Sequence, residues 1–219
     1  MDGAPAVRVS QAADAQAAGM LDVATLAPGI HIDMRYAGSD NFIGAPVSGY
    51  EAPRCYLLAP VARALARVQS RLSAQGLSLV VFDCYRPAQA VRHFVQWARD
   101  DADQRTKASH YPRLEKSQLL DGYIAETSGH SRGATADVGL LRCGTDARCT
   151  ALDMGTGFDL FDTRANTGSA EVSQAQRDNR QRLLRAMAEQ GFENYALEWW
   201  HYTFRPEPAP HTTYDFPVR

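Results

Sequence analysis

Apolar positions with helical spacing mark two segments of the chain, and a capping pattern marks a third. In the first two, large apolar residues recur every three or four positions, so that they lie on one helix face. The third opens with Ser173 followed by Gln176, a capping-box pattern, and Gly191 follows it as a typical stop. These patterns predict helices over Leu57–Gln75, Pro87–Arg99 and Ser173–Gln190.

Shorter apolar and aromatic runs predict strands between these helices. The run Leu77–Phe82 is rich in Val and Leu, which is typical of a buried strand, and two further runs at Thr135–Leu141 and Tyr195–Phe204 are also strand-like. Residues 100–128 are polar and irregular, so we expect a loop there with at most a helical turn. Helices interspersed with separated strands indicate an α+β domain.

The domain organisation follows from the absence of repeats, low-complexity linkers and composition breaks. Residues 1–20 are rich in Ala and Gln, and they lack the charged and apolar regions of an intact signal peptide. We therefore predict a loosely ordered lead-in over 1–25 and one catalytic domain over 26–219. The tail from Arg205 carries three prolines before Asp215 and is predicted to be extended.

Composition and charge exclude two classes of partner. Hydrophobic residues make up 45% of the 219 residues and the formal net charge is -2, without a basic block. Nucleic-acid binding is therefore not expected, because it needs a basic surface. No apolar run approaches the ~18 residues of a membrane-spanning helix, so no membrane span is expected either. The oligomeric state is not indicated by the sequence.

Four cysteines bear on the compartment of the protein. Cys143 and Cys149 flank a short polar loop that could close as a disulfide, which would leave Cys55 and Cys84 as a second pair. Such pairing favours an oxidising compartment, here the periplasm. Four unrelated thiols in a cytoplasmic protein are the alternative, because connectivity cannot be derived from spacing alone.

Two segments carry the residues suited to metal chemistry. The segment 128–137 contains His130 and Asp137, and the segment 198–201 contains Glu198 and His201. Catalytic zinc takes three nitrogen or oxygen ligands and keeps one open position for water. His130, Asp137 and His201 would supply the three ligands, and Glu198 would accept a proton from the water.

The spacing of these residues leaves their local geometry open. His130 and Asp137 lie seven residues apart, which suits a loop followed by a strand. Glu198 and His201 lie three apart, so they would share a face on a helix but point to opposite sides on a regular strand. A histidine in a Gly/Ser loop is more often a surface residue, and a glutamate beside tryptophans could be a buried ion-pair partner.

Several motifs follow one another in order along the chain. The pattern S-x-H-x-x-G-x-x-x-D at 128–137 is followed by E-x-x-H at 198–201. Further motif segments are Ile32–Tyr36, Asp40–Phe42 with Gly44, Phe82–Pro87, Met154–Gly155, Phe158–Asp159 and Glu198–Tyr202. Together these motifs resemble the D-alanyl-D-alanine dipeptidase family, the VanX-type enzymes of bacterial cell-wall metabolism and glycopeptide resistance. The resemblance extends from about Asp33 to Phe204.

The resemblance implies a role for each matching residue. It implies one Zn²⁺ per chain on His130, Asp137 and His201, with Glu198 as the catalytic base. Arg86 corresponds to the arginine that stabilises the transition state. Asp159 corresponds to the carboxylate that binds the substrate ammonium, and Ser128 to a substrate-contacting serine. The implied fold is a compact α+β domain, with helices packed on a mainly antiparallel central sheet and the zinc site in a cleft.

Plain structural roles remain open for two of these residues. Arg86 could pair with Asp83 and simply cap the sheet, although adjacent side chains on a strand diverge. Asp159 could cap a turn, with Thr163 and Arg164 as partners.

The expected activity is zinc-dependent hydrolysis of the free dipeptide D-Ala-D-Ala. A related D,D-carboxypeptidase or peptidoglycan endopeptidase is the alternative enzyme, and it would need an open groove for a polymer. A noncatalytic zinc-binding module is the third reading. It is disfavoured because a structural zinc site is closed by four ligands.

Overall fold

The computed structural model describes residues 7–144, 146 and 148–219. The strands are β1 (Arg8–Val9), β2 (Met20–Asp22), β3 (His31–Ile32), β4 (Tyr56–Leu58), β5 (Leu77–Asp83), β6 (Thr135–Cys143), β7 (Cys149–Ala151), β8 (Phe192–Asn194), β9 (His201–Phe204) and β10 (Thr212–Thr213). The α-helices are α1 (Val23–Leu26), α2 (Ala59–Ser73), α3 (Ala88–Ala98), α4 (Lys107–His110) and α5 (Gln174–Ala188).

A central sheet organises the described part of the chain. Its strands lie in the order β3, β5, β6, β9, β8, and β7 pairs with β6 as a hairpin partner. Only the β3–β5 pair is parallel, and the other pairs of this sheet are antiparallel. The predicted α+β fold with a mainly antiparallel sheet is confirmed.

Helix α2 covers the sheet as its apolar stripe predicts. The stripe residues Val61, Leu65, Val68 and Leu72 are all buried, and the helix packs against β5 and α5. The predicted start at Leu57 is wrong by two residues. Leu57 and Leu58 belong to β4 instead, because this strand pairs with β2 in an antiparallel ladder.

The other two predicted helices are confirmed with slightly shorter bounds. Helix α5 begins with the predicted capping box, in which Ser173 accepts from Gln176 N and the Gln176 side chain accepts from Ser173 N. Helix α3 buries Val91, Phe94 and Val95 as predicted. Among the described helices, none is long and apolar enough to cross a membrane.

The segment predicted as a loosely ordered lead-in is built into the fold over its described part, residues 7–25. Strand β1 pairs with β10 near the end of the chain, and β2 pairs with β4. Met20 and Val23 are buried in the core. These few apolar residues make long-range contacts that composition does not reveal. Residues 1–6 lie outside the described residues.

The aromatic segment Tyr195–Phe204 is a strand only over its last four residues, His201–Phe204. Glu198 N donates to Tyr195 O at 3.0 Å and His201 N donates to Glu198 O at 3.3 Å, so that consecutive turns precede β9. The strand prediction for Tyr195–Trp200 is therefore wrong. Side-chain alternation does not apply to Glu198, and its carboxylate can lie on the same side as the His201 ring.

Both predicted disulfides are present. Cys55 is bonded to Cys84, and Cys143 is bonded to Cys149, which are directly opposed residues of β6 and β7. The pairing rules out the alternative of four unrelated thiols.

Candidate active site

Three adjacent strands place acidic and imidazole side chains in one row. Asp83 at the end of β5 is in register with Asp137 of β6, and Asp137 is in register with His201, the first residue of β9. Neighbouring strands lie about 4.8 Å apart, so side chains in register are within contact distance. The sheet therefore brings together residues that are far apart in sequence.

His130 reaches this row from the short helical turn His130–Arg132 that precedes β6. Gly133 ends the turn in the left-handed conformation, with φ 68°, which glycine adopts without strain. A Cβ atom at Gly133 would also meet Met20 Cε at 2.6 Å. The sharp turn folds His130 back over Asp137, in keeping with the loop followed by a strand that their spacing predicted.

The three predicted metal ligands form a compact triangle of donor atoms. His130 Nε2 lies 3.3 Å from His201 Nδ1 and 3.3 Å from Asp137 Oδ1, and His201 Nδ1 lies 3.1 Å from Asp137 Oδ1. In tetrahedral zinc sites, metal–ligand distances of about 2.0–2.1 Å imply ligand atoms about 3.3 Å apart. Asp137 Oδ1 is buried and has no hydrogen-bond partner. This donor set fits a zinc ion.

The other ring nitrogen of His130 is fixed by the backbone. His130 Nδ1 lies 2.7 Å from Cys84 O, and since a carbonyl only accepts, the proton is on Nδ1. This leaves the lone pair of Nε2 facing Asp137 and His201. Such a hydrogen bond behind a histidine is the usual way in which proteins orient a metal ligand.

Glu198 lies beside the triangle without joining it. Its Oε2 atom is 3.5 Å from His201 Nδ1, and the side chain is nearly buried. Burial raises the pKa of Glu198 to about 7, with the charge of Asp137 adding to the rise and His201 and Arg86 opposing it. A carboxylate with such a pKa can take up and release a proton near neutral pH.

Arg86 lies between two carboxylates and an aromatic wall. Its Nε donates to Asp83 Oδ2 at 2.9 Å, and its Nη2 lies 3.6 Å from Asp137 Oδ2. The guanidinium also lies over the rings of Tyr36 and Phe94. The expectation that Asp83 and Arg86 diverge is wrong, because β5 ends at Asp83 and Arg86 follows in a turn. The pairing still leaves other N–H groups of Arg86 at the cavity.

Asp159 aims a buried carboxylate into the same cavity. Among the described residues it is the one non-glycine residue with positive φ, 59°. Both of its oxygens accept from the Tyr36 hydroxyl, at 3.1 and 2.9 Å, and no described cationic side chain forms an ion pair with it. Burial raises the pKa of Asp159 well above its ordinary value, and the charge of Asp137 adds to this. Asp162, rather than Asp159, pairs with Arg164.

These side chains line a single cavity of about 300 Å³. Arg86, Ser128, Asp137, Asp159, Glu198 and His201 all contribute to its wall. The Ser128 hydroxyl accepts from His130 N at 3.2 Å. The volume lies at the small end of the range for small-molecule sites. The cavity therefore suits a compact ligand with a positive group near Asp159.

A comparison with protein families gives a match over nearly the whole chain. The family model for Peptidase M15, described as D-ala-D-ala dipeptidase, matches residues 16–219. The chain belongs to this dipeptidase family. The resemblance stated from the motifs is thereby confirmed.

Relatives within the dipeptidase family are similar over most of their length. A D-alanyl-D-alanine dipeptidase of Streptomyces coelicolor is 43% identical over 88% of this chain and 95% of its own. Another from Enterococcus faecium is 40% identical over 87% of this chain and 94% of its own. A solved structure of a VanY D,D-pentapeptidase mutant with Zn(II) is only distantly similar, with a TM-score of 0.42 and 12% identity over 71% of this chain and 76% of that chain.

Two residues in the site of this family member were not singled out from the sequence. The Tyr36 hydroxyl donates to Asp159, 123 positions away, and the Tyr50 hydroxyl donates to Asp83 at 2.6 Å. Asp83 in turn holds Arg86. Tyr36 lies inside a motif that resembles the family, which was the one available signal. Tyr50 lies outside these motifs.

Proposed function

We propose that this protein is a zinc-dependent D-alanyl-D-alanine dipeptidase that hydrolyses the free dipeptide. The observation that carries the proposal is a His/Asp/His triangle at the wall of one small cavity, to which Asp137 and His201 contribute together with a glutamate and a buried, uncompensated carboxylate. The family and the names of its relatives support the same substrate.

His130, Asp137 and His201 are the proposed zinc ligands. Zinc bound there would supply a positive charge that lowers the pKa of water and polarises the scissile carbonyl. The orienting bond from His130 Nδ1 to Cys84 O and the orphaned oxygen of Asp137 support this assignment.

Glu198 is the proposed general base. It accepts a proton from the attacking water and later passes it to the leaving amine. Its position 3.5 Å from His201 and its pKa of about 7 suit both steps. Proton transfer by a positioned side chain contributes roughly 10²- to 10⁴-fold to rates.

Arg86 is proposed to stabilise the negative charge that develops on the carbonyl oxygen. Its guanidinium is permanently charged and carries several donors in a rigid fork. The bond to Asp83 uses Nε and fixes the orientation of the fork, so that the remaining donors are held in place before the reaction begins.

Asp159 is proposed to bind the free ammonium group, with Ser128 as a further substrate contact. A substrate ammonium would supply the charge partner that Asp159 lacks among the described residues. An acylated nitrogen carries no charge and would leave the buried carboxylate unpaired, which is unfavourable. The free dipeptide should thus be preferred over longer peptides and acylated stems.

We extend the proposal to the periplasm as the location, with the cytoplasm as the alternative. The two disulfides support an oxidising compartment.

The test is a comparison of free D-Ala-D-Ala with its N-acetylated form. We expect hydrolysis of the free dipeptide, its loss on treatment with a chelator and its recovery on addition of zinc. The N-acetylated dipeptide should be cleaved far more slowly. Equal cleavage of both substrates would contradict the dipeptidase assignment and support a D,D-carboxypeptidase. Activity that survives complete removal of metal would contradict the zinc mechanism.

A further inference from the structure

The Cys55–Cys84 disulfide lies directly behind the candidate metal site. Both of its cysteines are fully buried, and Cys84 comes between Asp83 and Arg86 along the chain. The carbonyl of Cys84 is the group that accepts from His130 Nδ1 at 2.7 Å. The covalent bond therefore attaches to the same residue that orients a proposed zinc ligand.

The Cys55 end of the disulfide is connected to the turn that contains the proposed ligand His130. Cys55 immediately precedes β4, and at the end of β4 Leu58 N donates to Gly133 O at 2.9 Å. Gly133 closes the turn that contains His130. The segment Cys55–Leu58 is thus joined to Cys84 by the disulfide and to the turn that contains His130 by the hydrogen bond from Leu58. The hydrogen bond between His130 and the Cys84 carbonyl connects the other two ends, so that the three contacts form a closed ring.

Two backbone hydrogen bonds run parallel to the disulfide. Tyr85 N donates to Tyr56 O at 2.9 Å, one residue further along on each side, and Arg86 N donates to His130 O at a longer 3.4 Å. Exchangeable hydrogen bonds restrain the separation of two segments less firmly than a covalent bridge does. Without the bridge, the Cys84 carbonyl could move relative to the His130 turn.

We propose that the Cys55–Cys84 disulfide is a positioning element of the metal site. It holds the Cys84 carbonyl against His130 Nδ1 and thereby keeps Nε2 directed at Asp137 and His201. This inference rests on the proposed function, in that it takes these three residues to bind zinc. Reduction of this disulfide weakens zinc binding in the folded protein.

The chain provides its own control in the Cys143–Cys149 disulfide. Cys143 ends β6, six residues from Asp137 along an extended strand, which is about 20 Å at 3.3 Å per residue. The hairpin disulfide is thus separated from Asp137 by most of the length of β6. Its removal should leave zinc binding unchanged.

The experiment compares two double variants, Cys55→Val with Cys84→Ala, and Cys143→Ala with Cys149→Ala. The valine refills part of the volume of the lost sulfur atoms. Zinc dissociation constants are measured by competition with a chromophoric chelator, at a temperature where circular dichroism shows each protein to be fully folded. We expect zinc binding to weaken about 10- to 100-fold in the first variant, the usual cost of losing support behind a ligand. The second variant should bind as the unmodified protein does.

An unchanged zinc constant in the folded Cys55→Val, Cys84→Ala protein would overturn the proposal. If that protein does not fold, the Cys143→Ala, Cys149→Ala protein is treated with a phosphine reductant, since only the Cys55–Cys84 bond remains to be reduced. Zinc release that follows reduction, with an unchanged circular dichroism spectrum, supports the proposal, and zinc retention after reduction overturns it.

Failure of the underlying metal assignment would be distinguishable. In that case the His201→Ala variant would bind zinc as tightly as the unmodified protein.

Discussion

At the scale of single residues, the candidate site gives three carboxylates different environments. Burial would raise the pKa of Asp137, but its contacts with His130 and His201 lower it well below the ordinary value. Burial raises the pKa of Glu198 to about 7 and raises that of Asp159 well above its ordinary value. Groups with such divergent pKa values are suited to different tasks, here ligand, base and ammonium partner.

Glu198→Gln should separate metal binding from chemistry. The amide keeps the shape of the side chain but cannot accept the proton from water. We expect the variant to keep its fold and zinc content while kcat falls by roughly 10²-fold or more. Single-turnover kinetics and elemental analysis provide the measurement. A variant with near-normal kcat would mean that another residue is the base.

Asp159→Asn should reduce selectivity for the free amine. Asparagine tolerates the left-handed backbone of this position, so the change removes charge without adding strain. Loss of the proposed ammonium partner should cost the free dipeptide about 3–5 kcal/mol in transition-state stabilisation. The measurement is the ratio of kcat/KM for the free and N-acetylated dipeptides.

The ratio should fall in Asp159→Asn because the free dipeptide becomes a poor substrate. Asp162→Asn is a suitable comparison, since Asp162 is also buried but pairs with Arg113 and Arg164 away from the cavity. An unchanged ratio in Asp159→Asn would place ammonium binding elsewhere.

At the scale of elements, the segment that carries Asp159 is held by one arginine. Arg180 of α5 is fully buried, and it donates to three backbone carbonyls, those of Met154, Arg164 and Asn166. These carbonyls lie on both sides of Asp159 in sequence. The helix therefore fixes the loop that presents the carboxylate, although Arg180 does not reach the cavity itself.

Arg180→Met should destabilise the protein and raise KM. Removal of the donors leaves three buried carbonyls unsatisfied, at about 1–3 kcal/mol each. We expect a lower free energy of unfolding and, in the remaining folded protein, a larger change in KM than in zinc affinity. Denaturant titration and steady-state kinetics test this, with the exposed Arg182 of the same helix, changed to Met, as the control. If zinc affinity fell by the same factor as KM rose, the result would argue against a local effect on the loop.

Local patterns predicted the elements whose contacts are themselves local. The stripe of α2 and the capping box of α5 were correct because helix spacing and capping depend on neighbouring residues. The aromatic run before β9 favoured a strand, but tertiary contacts selected turns at Glu198. Aromatic residues are enriched in strands only because they fit a half-buried surface, and a buried turn offers such a surface too.

The candidate site was predicted through motifs rather than spacing. Spacing alone suggested His130, Asp137 and His201 as a weak metal set, and it left the direction of Glu198 open. The contact between Tyr36 and Asp159 could not be predicted from local pattern, because it depends on how the first and last thirds of the domain pack together. Tyr50 could not be predicted for the same reason.

At the scale of the whole molecule, zinc should stabilise the fold. A ligand that binds only the native state raises stability by RT ln(1 + [L]/Kd), which is about 2.7 kcal/mol at a free concentration 100 times Kd. We expect the melting temperature of chelator-treated protein to rise when zinc is added. His201→Ala should lose most of its metal and most of this rise. A full zinc-dependent rise in His201→Ala would remove His201 from the ligand set.

The register of the central sheet also determines when the metal can be acquired. During synthesis, His130 and Asp137 leave the ribosome well before His201. Strand β6 cannot pair with β9 until β9 has also been synthesised. A growing chain therefore holds only two of the three proposed ligands until β9 is available. Tight capture of zinc by these ligands would then be a late event, which would follow completion of the sheet instead of guiding its assembly. A protein secreted in the unfolded state would accordingly take its metal from the compartment in which it folds.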